Sequence, residues 1–219
     1  MILSAGIAKV AKFDNSLTAA FKNSIVLINS GNFGLPVSQL VFYQNPLGTS
    51  IQVAVMIYQN LLTKKSNLQA IKEFLKNPVI YAFLLGVAFQ MFNLKVPDFL
   101  WKPLTVTANA FLAVALITLG AQSALLKIKK FSLPLVLSLL GRLALGPIVA
   151  FLIIVLLNFE GTVAQALFIA SSFPTSRNSS LLALEYDNHP EYAAQVVLLT
   201  TIFSMITVTA VIYLSMILF

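Results

Sequence analysis

Hydrophobic residues form long runs along this chain, and short polar stretches separate the runs. About 20 predominantly apolar residues are enough for a helix to cross a bilayer. The pattern therefore predicts an all-α polytopic membrane protein with a short N-terminal stub helix and seven apolar segments. The stub is 1–11, and the segments are 19–43, 47–62, 78–93, 104–126, 133–157, 162–186 and 192–219.

Lysines are distributed unequally among the loops between these segments. Ten lysines lie in or at the edges of three loops, whereas the loops that alternate with them hold only Lys95 and Lys102. Cytosolic loops of membrane proteins are enriched in lysine and arginine. We therefore predict that the lysine-rich side, together with the acidic loop 185–191, faces the cytosol and that the protein lies in the cell (cytoplasmic) membrane. The three lysine-rich loops are 12–22, 63–77 and 127–132.

Composition supports this assignment and excludes several other classes. The chain is 58% hydrophobic and 10% charged, whereas soluble domains carry about 25% charged residues. The net charge of +7 resides mainly in loop lysines, so it indicates a lipid bilayer and no nucleic acid as partner. The sequence has no cysteine and a single histidine, and its aspartates and glutamates lie in loops or at the edges of the apolar segments. We predict neither a metal site nor a cofactor, and no enzymatic activity.

Two polar interruptions lie inside apolar segments. "NSGNFGLP" begins at Asn29, "SSFPTSRN" begins at Ser171, and each is followed by an apolar run, a Tyr-x-Asn and a second proline. The two segments are five crossings apart, so they run in opposite directions, as in transporters with inverted repeats and broken helices. We predict breaks at 30–36 and 173–178 that cross near the midplane. Two independent proline kinks are the alternative. The residues expected to cause the breaks are Gly31, Gly34, Pro36 and Pro174.

The sequence resembles the auxin efflux carrier family, which includes bacterial malate permease-like transporters. The resemblance rests on "NSGNFGLP" at 29–36, "LKNPVIYAFLLGVAF" at 75–89 and "FPTSRNSSLLALEY" at 173–186, which continues to "PEYAAQVVLLTT" at 190–201. It implies a ten-helix fold of two inverted five-helix repeats with crossing broken helices, and transport of organic anions, often carboxylates.

The chain departs from that family pattern near its start. The family's first two helices and part of its third have no counterpart before Met1, and the segment 47–62 ends early. We therefore expect three parts. The first is an incomplete repeat at 1–62, with a stub helix, a broken helix 19–43 and a short helix 47–62. A cytosolic loop at 63–77 follows, and then a complete five-helix second repeat at 78–219 with its broken helix at 162–186.

Two arginines lie at mid-depth in apolar segments, where a charge costs at least about 2.5 kcal/mol. Arg177 is about nine residues, or ~13 Å, from the end of its segment, and its guanidinium can bind a carboxylate through two hydrogen bonds. We expect Arg177 to bind substrate. The alternatives are a structural lock to carbonyls freed by Pro174 and snorkelling of the side chain to the interface. Arg142 is expected to be a structural charge paired with carbonyls of a broken helix, with a substrate role as its alternative. The other expected substrate-binding residues, for which interhelical hydrogen bonding is the alternative, are Ser30, Asn32, Thr175, Ser176 and Asn178.

These observations predict secondary transport of small organic anions, chiefly carboxylates, with the substrate held where the two broken helices cross. Two alternatives remain open: a truncated, non-transporting remnant or assembly partner of such a carrier, and a cation-coupled carrier of neutral solutes. The predicted partners are an organic anion and the lipid bilayer, and homodimer formation is left open.

Overall fold

The structure is a computed structural model that describes residues 2–43, 45–62, 76, 78–124 and 131–219. All regular structure in these ranges is helical apart from one isolated β-bridge, which confirms the all-α prediction. Two of the described helical stretches, Leu133–Leu156 and Pro190–Leu218, are long and apolar enough to cross a membrane. Most of the predicted loop 63–77 and of the loop 127–132 lies outside the described residues.

Eleven α-helices and two π-helical turns are described along the chain. The α-helices are α1 Ile2–Val10, α2 Asn15–Val26, α3 Leu35–Val41, α4 Pro46–Leu62, α5 Pro78–Met91, α6 Asp98–Ala124, α7 Leu133–Leu140, α8 Gly146–Leu156, α9 Gly161–Ser171, α10 Arg177–Glu185 and α11 Pro190–Leu218. The π-helical turns are Ser30–Gly34 and Gly141–Leu145.

Several helices begin earlier than the apolar pattern indicates. Helix α2 begins at Asn15, where the Asp14 side chain accepts a hydrogen bond from the Leu17 N–H as an N-cap. Helix α6 begins at Asp98 and contains Pro103, although these residues were expected in a loop. Polar caps and first turns extend helices beyond their apolar cores because they satisfy the free N–H groups at the start.

The two apolar segments with polar interruptions are each divided into two helices. The first is divided into α2 and α3, with non-helical residues 27–29 followed by the π-helical turn Ser30–Gly34. The second is divided into α9 and α10, with the interruption at 172–176. The break expected at 30–36 therefore begins three residues too late. It also extends too far, because Pro36 lies in the first turn of α3, where proline is tolerated. The break expected at 173–178 is one residue too late at its start and two at its end.

The core lies around the second divided helix. Helix α9 packs against α4, α8 and α11, and α10 packs against α11. Ile169, Ala170 and Phe173 are buried in one apolar cluster with Phe42 and Val208. This packing brings the second interruption against the first, because residues of both segments contribute to the same cluster.

Polar contacts between loops show which loops lie at the same end of the molecule. Ser16 donates to the Asn188 side chain at 2.9 Å, and the His189 imidazole lies 3.9 Å from Asp14. At another loop pair, Asn45 donates to Thr162 at 2.8 Å. The loops 12–22 and 185–191, both predicted to be cytosolic, thus contact each other, and so do two loops of the opposite predicted side.

Candidate functional site

The two interruptions meet through their backbones. Ile28 and Thr175 form an antiparallel bridge. The Asn29 N–H donates to the Pro174 carbonyl at 2.8 Å, and the Ser176 N–H donates to the Leu27 carbonyl at 2.8 Å. Non-helical backbone at membrane depth must find partners in protein or in a water-filled cavity. Each interruption supplies partners for the other, and we call this meeting point the crossing.

Side chains of α4 satisfy further carbonyls of the first interruption. Gln52 donates to the Ser30 carbonyl at 2.8 Å, and Gln59 donates to the Ile28 carbonyl. The two glutamines are seven residues apart, so they lie on one face of the helix. Sequence reasoning gave Gln59 no role. The sequence nevertheless contained an indication of such a role, because two glutamines seven residues apart on an otherwise apolar helix face indicate a polar partner.

Thr175 fixes the second interruption within the protein. It is fully buried, its hydroxyl donates to the Ser24 carbonyl at 2.6 Å, and its N–H donates to the Thr200 hydroxyl at 3.1 Å. Threonine is thus engaged through both its side chain and its backbone. This residue was expected to bind substrate, but its hydroxyl and its N–H are already paired in the structure.

Arg142 bridges the ends of α2 and α9. Its side chain is 5% exposed, and it donates to the Ile25 carbonyl at 2.8 Å and to the Ser171 carbonyl. These carbonyls lie in the last turns of the two helices, where carbonyls have no partner within the helix. Arg142 was expected to pair with carbonyls of a broken helix. In the structure its guanidinium donates to one carbonyl from each of the two divided segments.

The two π-helical turns share a sequence feature. The first begins at Ser30 and is followed by Pro36, and the second begins at Gly141 and is followed by Pro147, so each proline comes six residues after the turn begins. Proline removes an N–H that would donate within the helix, and π-helical turns often occur at functional sites. One turn carries Asn32 and the other carries Arg142.

Gly34 permits the close packing of the crossing. Its backbone has φ −68° and ψ −41°, which any residue can adopt. A Cβ at this position would lie 2.5 Å from the Gln52 amide nitrogen and 2.6 Å from the Phe173 ring. The structure therefore favours steric space, rather than backbone freedom, as the reason for glycine here. At Gly31 the nearest atom to such a Cβ is the Met56 sulfur at 3.4 Å.

The remaining expected site residues fall into two groups. Ser30 and Ser176 are buried, and the Ser176 hydroxyl accepts the Asn178 N–H at 3.2 Å as the N-cap of α10. Asn32 and Arg177 are exposed, and Asn178 is half-buried. Within the described ranges, the side chains of these last three residues have no hydrogen-bond or ion-pair partner.

The polar residues near the crossing form two groups, which differ in whether their donors have partners. The packed group is Arg142, Gln52, Gln59 and Thr175, each of which donates a side-chain hydrogen bond to a backbone carbonyl of the divided segments. The open group is Asn32, Arg177 and Asn178, which retain free donors within a few residues of the crossing. The alternative for Arg177 was a structural role, with hydrogen bonds to carbonyls left free by the broken helix. In the structure Arg142 makes hydrogen bonds of this kind.

The chemistry available to the open group is the recognition of an anion. Arg177 is the first residue of α10, and the N-terminus of a helix carries a partial positive charge and free N–H groups. Neither 27–36 nor 171–178, the stretches that contain the two interruptions, includes aspartate or glutamate. Among the described residues no cluster of histidine, cysteine, aspartate or glutamate could hold a metal ion.

Comparisons with known proteins agree with a membrane carrier. Residues 61–212 match the family described as "Membrane transport protein". A protein of Rhizobium meliloti named "Putative malonate transporter" is 24% identical over 184 residues, which cover 82% of this chain and 58% of that protein. An uncharacterised transporter of Methanocaldococcus jannaschii is 24% identical over 196 residues, covering 84% of this chain and 64% of that protein. The chain thus spans about three fifths of the length of these relatives.

Proposed function

The chain belongs to the membrane transport protein family, and on that premise we propose that it acts in secondary transport of small organic anions, chiefly carboxylates. Membership of this family confirms the resemblance to auxin efflux carriers and malate permease-like proteins. The observation that carries this proposal is Arg177, an exposed and unpaired guanidinium at the start of α10, directly after the second interruption. A cation without a partner near the centre of an apolar segment is costly. An anionic substrate would offset that cost.

The open group supplies the contacts that a carboxylate requires. The Arg177 guanidinium offers parallel N–H donors that match the two oxygens of a carboxylate. The Asn32 and Asn178 amides offer neutral donors, and the α10 N-terminus contributes its dipole. No acidic side chain of the two interruptions competes for Arg177. A carboxylate held here would contact both divided segments.

A site between two divided helices also suits transport across the cytoplasmic membrane. In transporters built from inverted repeats, substrate sites lie near the bilayer midplane, and the repeats move against each other to open the site alternately to each side. We propose that 1–62 and 78–219 belong to two such repeats, with 63–77 as a cytosolic loop between them. The contact of the 12–22 and 185–191 loops, through Ser16 and Asn188, supports the grouping of these two loops on one membrane side.

The first substrate to test is a short dicarboxylate. One relative carries malonate in its name, and malonate presents one carboxylate to Arg177 and a second to the neutral donors of the open group. The chain is reconstituted in lipid nanodiscs, and malonate binding is measured by isothermal titration calorimetry for the unchanged protein and for two variants, Arg177→Gln and Arg177→Lys.

We expect Arg177→Gln to weaken malonate binding about tenfold or more, since a hydrogen bond to a charged group contributes about 1.5–3 kcal/mol. Arg177→Lys keeps the charge and loses the paired donors, so its loss should be smaller. The matched control is Lys95→Gln, which removes one positive charge from the exposed turn between α5 and α6 and should leave affinity unchanged. Equal affinity of all four proteins for malonate would contradict the proposed role of Arg177.

A further inference from the structure

Two helices point their C-termini at one buried cation. Helix α2 ends at Val26 and α9 ends at Ser171, and Arg142 donates to a carbonyl in the last turn of each. Within the described part of the chain, no carboxylate pairs with Arg142. Its charge is therefore balanced by helix carbonyls alone.

The charges of this arrangement nearly cancel. Each helix C-terminus is equivalent to about −0.5 elementary charge, so the two termini together carry about −1. The Arg142 guanidinium carries +1 at any physiological pH. Without Arg142 the crossing would hold an unbalanced negative region beside the place where an anion is to bind.

Arg177 and the N-terminus of α10, the positively charged parts of the proposed site, follow closely along the chain after the Ser171 carbonyl that Arg142 contacts. Arg177 comes six residues after Ser171, and a chain of that length spans at most about 20 Å. Arg142 is buried, and interactions of a buried or partly buried charge are screened by salt much less than those between exposed charges, so they extend over such distances. Compensation by Arg142 would therefore affect the affinity of the site even though Arg142 does not touch the ligand.

We propose that Arg142 is a positioning residue that sets the charge preference of the anion site, by neutralising the C-termini of α2 and α9. This inference rests on the proposed function, since it concerns the same site. Arg142 keeps the two C-termini from repelling an anion, whereas Arg177 contacts it. The preference for a dianion over a monoanion of the same shape then depends on the charge at residue 142.

The surroundings of Arg142 are built to hold it in place. A Cβ at Gly141 would lie 2.8 Å from Ile25, and one at Gly146 would lie 3.3 Å from both the Arg142 guanidinium and the Ser171 carbonyl. The two glycines thus let α2 and α9 approach the π-helical turn closely. The side chain is 5% exposed, so it is largely shielded from solvent.

The test compares three ligands of similar size and different charge. Malonate carries two negative charges, malonamate carries one and malonamide carries none. Their affinities are measured in nanodiscs at neutral pH for the unchanged protein, Arg142→Lys and Arg142→Gln. A residue that acts only in folding would change all affinities alike or none, so the ratio of malonate to malonamate affinity isolates the effect of charge.

We expect Arg142→Gln to lower the malonate-to-malonamate affinity ratio about fivefold, the effect of one charge at about 15 Å through an intermediate dielectric. Arg142→Lys should keep the ratio. If the glutamine variant does not fold, citrulline introduced at position 142 supplies an uncharged side chain of nearly the same shape. A folded, uncharged variant with an unchanged ratio would overturn the inference and leave the proposed function standing. Failure of the unchanged protein to bind either anion would overturn both.

Discussion

The two polar groups at the crossing differ in what their donors do. In the packed group, Arg142, Gln52 and Gln59 donate to backbone carbonyls that the interruptions leave without helix partners. In the open group, Asn32 and Arg177 are exposed and have no partner in the described structure. Two arginines in apolar segments thus have opposite surroundings, and the difference shows that mid-depth position alone does not identify a substrate residue.

The physical reason lies in the location of the free carbonyls. Helix C-termini leave carbonyls without partners and carry partial negative charge, so they attract a cation such as Arg142. Helix N-termini repel a cation and attract an anion, so an arginine at the start of α10 gains nothing from its own helix. Arg177 therefore has no partner in the described structure, in line with the ligand-binding role that we propose for it.

The largest effect on stability is expected from Arg142→Met. This change leaves the Ile25 and Ser171 carbonyls without these donors at a partly buried contact, and each lost partner costs about 1–3 kcal/mol. We expect the free energy of unfolding to fall by about 2–5 kcal/mol. Unfolding in mixed detergent micelles with increasing dodecyl sulfate measures it. A loss as small as that of Arg177→Met would remove the distinction between the groups.

A smaller loss is expected from Gly34→Ala. The new Cβ would lie within 2.7 Å of both the Gln52 amide and the Phe173 ring, and overpacking of this kind costs about 1–3 kcal/mol. The matched control is Gly31→Ala, where the nearest contact is 3.4 Å from the new Cβ and helix propensity offsets the crowding. Equal stabilities of the two variants in the same unfolding assay would show that the packing at Gly34 is not tight.

Removal of a single amide should cost less again. Gln52→Leu leaves the Ser30 carbonyl without its side-chain donor, which we expect to cost about 0.5–1.5 kcal/mol. Gln90→Leu is the control, since Gln90 is exposed on α5 and no partner is lost. If both leucine variants gain stability equally, Gln52 does not support the first interruption.

The smallest effect on stability is expected from Arg177→Gln. Its side chain is exposed and unpaired, and surface substitutions of this kind change stability by about 0.5 kcal/mol or less. Binding should respond instead, as argued above. A loss of several kcal/mol in the unfolding assay, with malonate affinity unchanged, would move Arg177 into the packed group.

Part of this arrangement follows from the sequence and part does not. The apolar runs predict the helices, and the prolines with their polar neighbours predict which two segments are interrupted, because both signals are local. The exact interruptions at 27–29 and 172–176 are not local, since they depend on the bridge between Ile28 and Thr175. For the same reason, the pattern could not show that the Thr175 hydroxyl and N–H are both paired.

The two α4 glutamines and Gly34 also have roles that the sequence alone could not show. The spacing of Gln52 and Gln59 identifies a polar face on α4, but only the fold shows that this face meets carbonyls of the first interruption. Gly34 suggested backbone freedom, whereas its conformation is helical and its neighbour Phe173 comes from a segment far along the chain. Contacts between distant segments decide both residues.

The central claim is that the open group binds the anion, and protection from a thiol reagent tests it most directly. The chain contains no cysteine, so Asn32→Cys and Asn178→Cys each introduce a unique thiol, and Lys95→Cys serves as an exposed control between α5 and α6. The rate of maleimide labelling is measured in nanodiscs with and without saturating malonate. We predict that malonate slows labelling at positions 32 and 178 severalfold and leaves position 95 unchanged. Malonate binding without protection at either asparagine position would contradict the account.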